Sequence, residues 1–403
     1  MPRRIPAILS CALLFAAGLC NSQVQAQAPA AVAAAPAAKP VESLRLVGRT
    51  ELPGYTGDFD HFEVDLKGNR LWLAAEDHGT LDVFNLKTGK LLKSHKGIVD
   101  TPHGILYLPE KNRLIVTDSG GKDMVTKVID ATTHKVTGTL KLRAPGADAM
   151  GYDPSRKRLY IVNGGRDAKM KETYLSEVDP LTLKQYGEIK FDTDKVEAMV
   201  IEQKGNRLYI NVTGKGYMAV IDKTTRSVIA TWPIKEAETN APLAFDEANK
   251  RLFVITRKPG KLIILNAETG ASIASFKAPE RCDQVFFDEA SKRLFVITRK
   301  PGKLIILNAE SGASIASFKA PERCDQVFFD EANRRIYALG GEGYIGVFQQ
   351  QDADHYEELA RVPTASGAKT GILIPELKRL VVAVSPGEAK TGAAILWFDV
   401  AAR

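Results

Sequence analysis

Asp60, His103, Asp148, Glu197, Asp283, Asp325 and Lys369 share one property: each stands ten residues before an arginine that is followed by two apolar residues. Ala241 holds the eighth such place. Five of the eight are carboxylates, so a fold that carried these positions around an axis would build an acidic ring with one histidine and one lysine. Carboxylates that face one another at low solvation raise one another's pKa, or they recruit a cation or a basic ligand. Oxygen donors of this kind suit a hard ion such as calcium. No ligand-dense loop of the EF-hand kind accompanies them, so no cofactor is assigned and a divalent cation is the one metal option. The plain alternative is a set of side chains that cap strand starts or hold channel water.

A second set is basic. Arg257, Lys258 and Lys261, with their copies Arg299, Lys300 and Lys303, put six cations on two adjacent repeat units. Such an arc attracts anions, among them nucleic acid and acidic envelope polymers. Aromatic residues that would stack bases are largely missing beside it, and an ordinary solvated rim explains it as well. Other chemistry finds little support. His61, His78 and His103 have no HxH or HExxH spacing for zinc. No helix follows Gly340-Gly-Glu-Gly343, which reads as a hairpin turn rather than a phosphate cradle. No GxSxG elbow or SxxK pair marks a nucleophilic serine.

The elements that must position these residues follow from the repeat. Residues 246–287 and 288–329 differ only at Asn249/Ser291 and Thr269/Ser311. The basic anchors Arg70, Arg113, Arg158, Arg207, Arg251, Arg293, Arg335 and Arg379 are spaced 43, 45, 49, 44, 42, 42 and 44 residues apart. Eight units with a period in the forties predict an all-β propeller of eight four-stranded blades, one of them recently duplicated. In the first unit the strands are expected near 59–66, 71–75, 81–86 and 91–95, with Gly and Asn at the turns. Lys258-Pro-Gly-Lys261 and its copy suit a type II turn, Pro at the first corner and Gly at the second. The last unit has only three strands, near 371–375, 380–385 and 394–400. Leu44–Leu52 can supply the fourth and so remove two sheet edges.

The ends and the composition give an address. Arg3 and Arg4 precede an apolar run over 5–19, and Val24-Gln25-Ala26 offers small residues for cleavage after Ala26. This is the layout of a secretory signal peptide. Residues 27–40 are Ala/Pro-rich and read as a linker, leaving a propeller over 41–403. No later stretch is long and apolar enough to cross a membrane, so a periplasmic or secreted monomer is expected. The chain has 44% apolar and 26% charged residues, the balance of a folded protein, with net charge +7. Only Cys282 and Cys324 of its four cysteines lie beyond the leader, which excludes a disulfide-stapled scaffold. Whether those two pair is open.

Leu159-Tyr-Ile-Val-Asn-Gly-Gly, Leu208-Tyr-Ile-Asn-Val-Thr-Gly and Leu114-Ile-Val-Thr-Asp-Ser-Gly-Gly, with Val128-Ile-Asp-Ala-Thr-Thr and Val220-Ile-Asp-Lys-Thr-Thr, resemble the YVTN-type β-propeller repeat. The resemblance covers the chain from about Val41 onward and implies an exported YncE-like propeller. It describes strands and turns, not a site. Two functions fit. One is a non-enzymatic binding or scaffolding protein of the cell envelope, with a small ligand, polymer or protein partner at the loop face. The other is a lactonase-like hydrolase or lyase with a divalent cation at the acidic mouth, which rests on fold analogy alone.

Overall fold

The computed structural model describes residues 42–236, 238–386 and 392–402. The expected signal peptide (1–26) and linker (27–40) lie outside the described residues. The chain forms eight four-stranded antiparallel sheets arranged in a ring, an eight-bladed β-propeller. Blade 1 is built from Phe62–Asp65, Arg70–Ala75, Thr80–Asn85 and Leu91–Lys96, and blade 2 from Pro102–Leu108, Arg113–Asp118, Thr126–Asp130 and Val136–Leu140. Blades 3 to 7 repeat the order. In blade 8, Leu44–Leu52 pairs with Ala393–Val400 and completes the sheet of Ala368–Ile374 and Arg379–Val384. The first strands of neighbouring blades touch one another and so line the inside of the ring. The only helical pieces among the described residues are three short 3-10 turns, the first at Pro109–Lys111.

Second and third strands are apolar on both faces because a blade lies against each. The interior is therefore eight apolar clusters, one at each blade boundary, rather than one core. Stability is then close to a sum of nearest-neighbour terms. Cys282 and Cys324 are buried in two successive clusters, as free thiols.

The basic anchors have a structural task. Each side chain reaches across to the carbonyls where the third strand of the next blade ends. Arg113 donates to Pro180 O and Leu181 O at 2.7 Å, Arg207 to Ala267 O at 2.8 Å, and Arg335 to Ala401 O at 2.6 Å. Arg70, Arg251 and Arg293 make the same crossing, to Ala131, Ala309 and Ala353. Arg379 closes the ring onto Leu86 O and Lys87 O at 3.2 and 3.1 Å. Blade 3 is the exception. Arg158 turns to Glu177 of its own blade at 3.3 Å, and the boundary is held from the other side by the fully buried Lys223, 2.7 Å from Asp153.

One turn differs from expectation. The corners of the duplicated hairpin are Lys258 and Pro259, joined by a cis peptide, and Arg257 pairs with Gly260. This puts proline at the second corner, a type VI arrangement, not the type II turn read from Pro-Gly. Gly260 is needed for space instead: a Cβ there would lie 2.4 Å from Ala278 O.

Two outcomes follow. Arg335 is 3% exposed, and Arg335→Met should lower the unfolding free energy by about 2 kcal/mol, the order expected for a lost charged hydrogen bond and a stranded carbonyl. Arg158→Met should cost clearly less, because it pins no neighbour. Urea unfolding of both variants checks this, and equal small losses would contradict the crossing role. Excision of residues 288–329 should leave a folded, less stable β-protein. Phe253, Ile255, Leu262 and Ile264 of blade 5 would then face blade 7 as Phe295, Ile297, Leu304 and Ile306 of blade 6 do now. Circular dichroism and a thermal melt read the result; a molten product would go against additive blade packing.

Candidate functional site

The ten-residue offset has a local cause. At each of the eight places two residues of the first strand face one of the second. Asp60 and His61 both bond to Ala74, at 3.0 and 2.9 Å, Asp148 and Ala149 to Val162, and Glu197 and Ala198 to Asn211. Across His103, Ala241, Asp283, Asp325 and Lys369 the register slips by one residue. A β-bulge takes one residue out of the ladder and re-aims its side chain. Repeated around the ring, it brings these side chains together at one inner rim.

There most of them join in two runs of ion pairs. Arg257 binds Asp283 at 3.1 Å, and Arg299 lies 3.7 Å from Asp283 and 3.0 Å from Asp325. Lys369 follows, 3.1 Å from Asp325 and 3.0 Å from Asp58. On the other side of Asp58, Asp60 holds His103 at 2.8 Å, and Asp148 lies 3.7 Å from the same ring nitrogen. Glu197 stands apart, 3.4 Å from Lys195, and Ala241 contributes no charge.

The acidic ring and the basic arc, separate sets on sequence, are thus partly one network. Arg257 and Arg299 neutralise Asp283 and Asp325. Lys258 and Lys300 are exposed and make no ion pair among the described residues. The mouth is consequently uneven: balanced by Arg and Lys over blades 5 to 8, and acidic over blades 1 to 3.

The acidic half is organised by His103, which is 7% exposed. Its Nδ1 faces Asp60 Oδ2 at 2.8 Å, and its Nε2 faces Ser119 Oγ at 2.7 Å. Glu76 lies 4.0 Å from Nδ1, and His61 adds a second contact to Asp60 at 2.5 Å. Ser119 directly follows the second strand of blade 2, and Asp118 holds that corner rigid by accepting from the backbone of Asp100, Thr101 and Gly120.

Burial alone would lower the His103 pKa, but the bond to Asp60 and the charges of Asp148 and Glu76 outweigh it and push it up to about 9. Asp60 moves the opposite way: burial would raise its carboxyl, and hydrogen bonds from the two histidines hold it far below the usual range. Glu76 is pushed up to about 7 by burial, against the pull of His103 and with Asp60 adding to the rise. Burial also raises Asp148, the nearby His103 opposing it. Among the described residues neither Glu76 nor Asp148 pairs with Lys or Arg.

Asp60, Glu76 and His103 place donor atoms within 4.8 Å of one another. Both ring nitrogens of His103 are already engaged, so a metal on Nδ1 would have to displace the proton shared with Asp60. His78 takes no part: its ring stacks on Tyr55 at 3.9 Å. Glu76, Asp58, His61 and Ser119 carry no mark in the ring offset. They join through the loops after second strands and the charge-dense stretch before the first blade. No known protein-family model matches the chain, and no curated protein matches it at a significant level.

The pair should be visible in pH-dependent stability. A histidine raised from about 6.5 to about 9 stabilises fully below the lower value, and the contribution disappears as pH climbs through the higher. Asp60 sets the acid limit, since its contribution is lost only as pH falls below the normal carboxylate range. His103→Gln should therefore cost about 2 kcal/mol more between about pH 4 and 6.5 than at pH 10, where only the hydrogen bonds of the neutral ring are lost. Denaturant titrations of both proteins across that range check it, and a pH-independent difference would contradict the pairing.

Proposed function

We propose that the protein is an exported propeller of the YVTN-repeat type that binds, in the cell envelope, ligands bearing a cationic group, and that the acidic half of the inner rim receives that group. One observation carries the reading: Glu76 and Asp148 converge on His103 and Asp60 with no Arg or Lys paired to them among the described residues, while Asp283 and Asp325 are paired with Arg and Lys. Carboxyls raised by burial gain most when a cation arrives, because it stabilises the ionised form that burial disfavours. An organic ammonium fits better than a bare divalent ion, which would have to break the His103–Asp60 bond. An anionic polymer such as nucleic acid is less favoured, since Arg257 and Arg299 of the basic arc are already paired. Export rests on the leader pattern of residues 1–26.

Calorimetry with spermidine, and separately with calcium and manganese, tests the reading. Spermidine should bind with proton release at pH 6.5, as Glu76 ionises. Glu76→Gln with Asp148→Asn should weaken it by about tenfold or more and leave the melting transition in place. Unchanged affinity in that variant, or binding of the metals alone, would overturn it.

A further inference from the structure

Ser119, His103 and Asp60 stand in an arrangement that binding alone does not require. A serine hydroxyl lies 2.7 Å from one ring nitrogen, and a carboxylate lies 2.8 Å from the other. The three come from the entrance of blade 1 and from two adjacent strands of blade 2, so no local motif announces them. This is the order of contacts by which an acyl-transfer enzyme activates a hydroxyl: the carboxylate fixes the Nδ1–H tautomer, and Nε2 can take the hydroxyl proton once His103 has lost its second proton, so acylation should rise as pH climbs toward about 9. Ser119 is partly exposed on the rim, whereas His103 is buried behind it. Gly120 and Gly121 give the corner its shape. A Cβ on Gly120 would meet Thr101 Oγ1 at 2.3 Å, and Gly121 takes a φ of +71°.

We propose that Ser119 is a nucleophile activated by His103, positioned by Asp60, that cleaves esters whose acyl group carries an ammonium or guanidinium. The cationic preference rests on the binding reading above; the relay itself does not. Ser119 Oγ attacks the ester carbonyl carbon and its proton passes to His103 Nε2. The carbon–oxygen bond to the alcohol breaks, and His103 returns the proton to the departing alkoxide. A water molecule then attacks the acyl-serine, with His103 again taking and returning a proton, and the carboxylic acid leaves. Gly120 N–H, the amide next to the nucleophile, is already given to Asp118 at 3.1 Å. The oxyanion thus lacks that preset donor, and acylation is a better readout than turnover.

The probe is p-nitrophenyl 4-guanidinobenzoate, with p-nitrophenyl butyrate as its neutral counterpart. The expected result is one p-nitrophenol released per chain and a 4-guanidinobenzoyl mass shift on the peptide that contains Ser119. Ser119→Ala should abolish the adduct and His103→Gln should slow it by about 100-fold or more, while spermidine binding to Ser119→Ala is retained. Asp60→Asn separates positioning from support of the fold. With Glu76, Asp148 and His61 still facing the ring, the acylation rate should fall and its pH midpoint should move down. A merely structural carboxylate would change neither the midpoint nor the adduct's position. No adduct on Ser119 in a protein that binds spermidine would overturn the relay and leave the binding reading standing. Equal labelling by the butyrate ester would overturn the cationic substrate class.

Discussion

An arginine that leaves its own blade and donates to the end of the next blade's third strand is the contact on which the ring depends. Each sheet alone would expose apolar residues on both sides, and packing against neighbours satisfies that demand without fixing direction. The crossing guanidinium adds direction, since it joins carbonyl groups that would otherwise be stranded at the blade boundary. Repeated from Arg70 to Arg379, it sets each blade relative to the next, and at Arg379 it meets the first blade again. Where Arg158 fails to cross, Lys223 crosses from the opposite side. The constraint is thus kept even where the residue changes.

The inner rim inherits its geometry from that repetition. Once the second strands are fixed, the bulge that opens each first strand re-aims one side chain at the equivalent place in every blade. What differs is charge. The duplicated blade brings a carboxylate and an arginine together, so copying it repeated a matched pair at the inner rim: Asp283 with Arg257, Asp325 with Arg299. The diverged blades 1 to 3 have no such arginine, and there the carboxyls gather on a histidine instead. Duplication and divergence have produced two halves of one mouth with different chemistry.

Much of this was legible in the sequence. The anchor spacing predicted eight blades, and the three-strand last unit predicted that Leu44–Leu52 closes the ring, because both follow from short-range pattern. The ten-residue offset singled out Asp60, His103, Asp148, Glu197, Asp283, Asp325 and Lys369; all but Glu197 pair within the two groups described above, and Glu197 pairs with Lys195. What it missed were contacts that depend on where loops end in space. Arg257 and Arg299 read as a free basic arc, because nothing local shows that a guanidinium at the end of the second strand reaches the bulge of the next blade. Ser119 carries no continuous signature such as an elbow motif, because here the hydroxyl, base and carboxylate sit on three separate segments. The Pro-Gly hairpin misled because the glycine serves a close approach to Ala278 rather than a positive φ.

In the proposed function, the acidic half of the rim is a receptor for positive charge built around His103. The ring nitrogens of His103 report on it directly, through nitrogen NMR of histidine-labelled protein titrated with and without spermidine. In the free protein His103 should hold its second proton up to about pH 9. Bound spermidine should lower that midpoint, because a cation beside Glu76 and Asp148 competes with the imidazolium for the same carboxylates, and linkage makes the effect mutual. A midpoint near the ordinary histidine value, unmoved by spermidine, would rule out that role for His103 and its carboxylates.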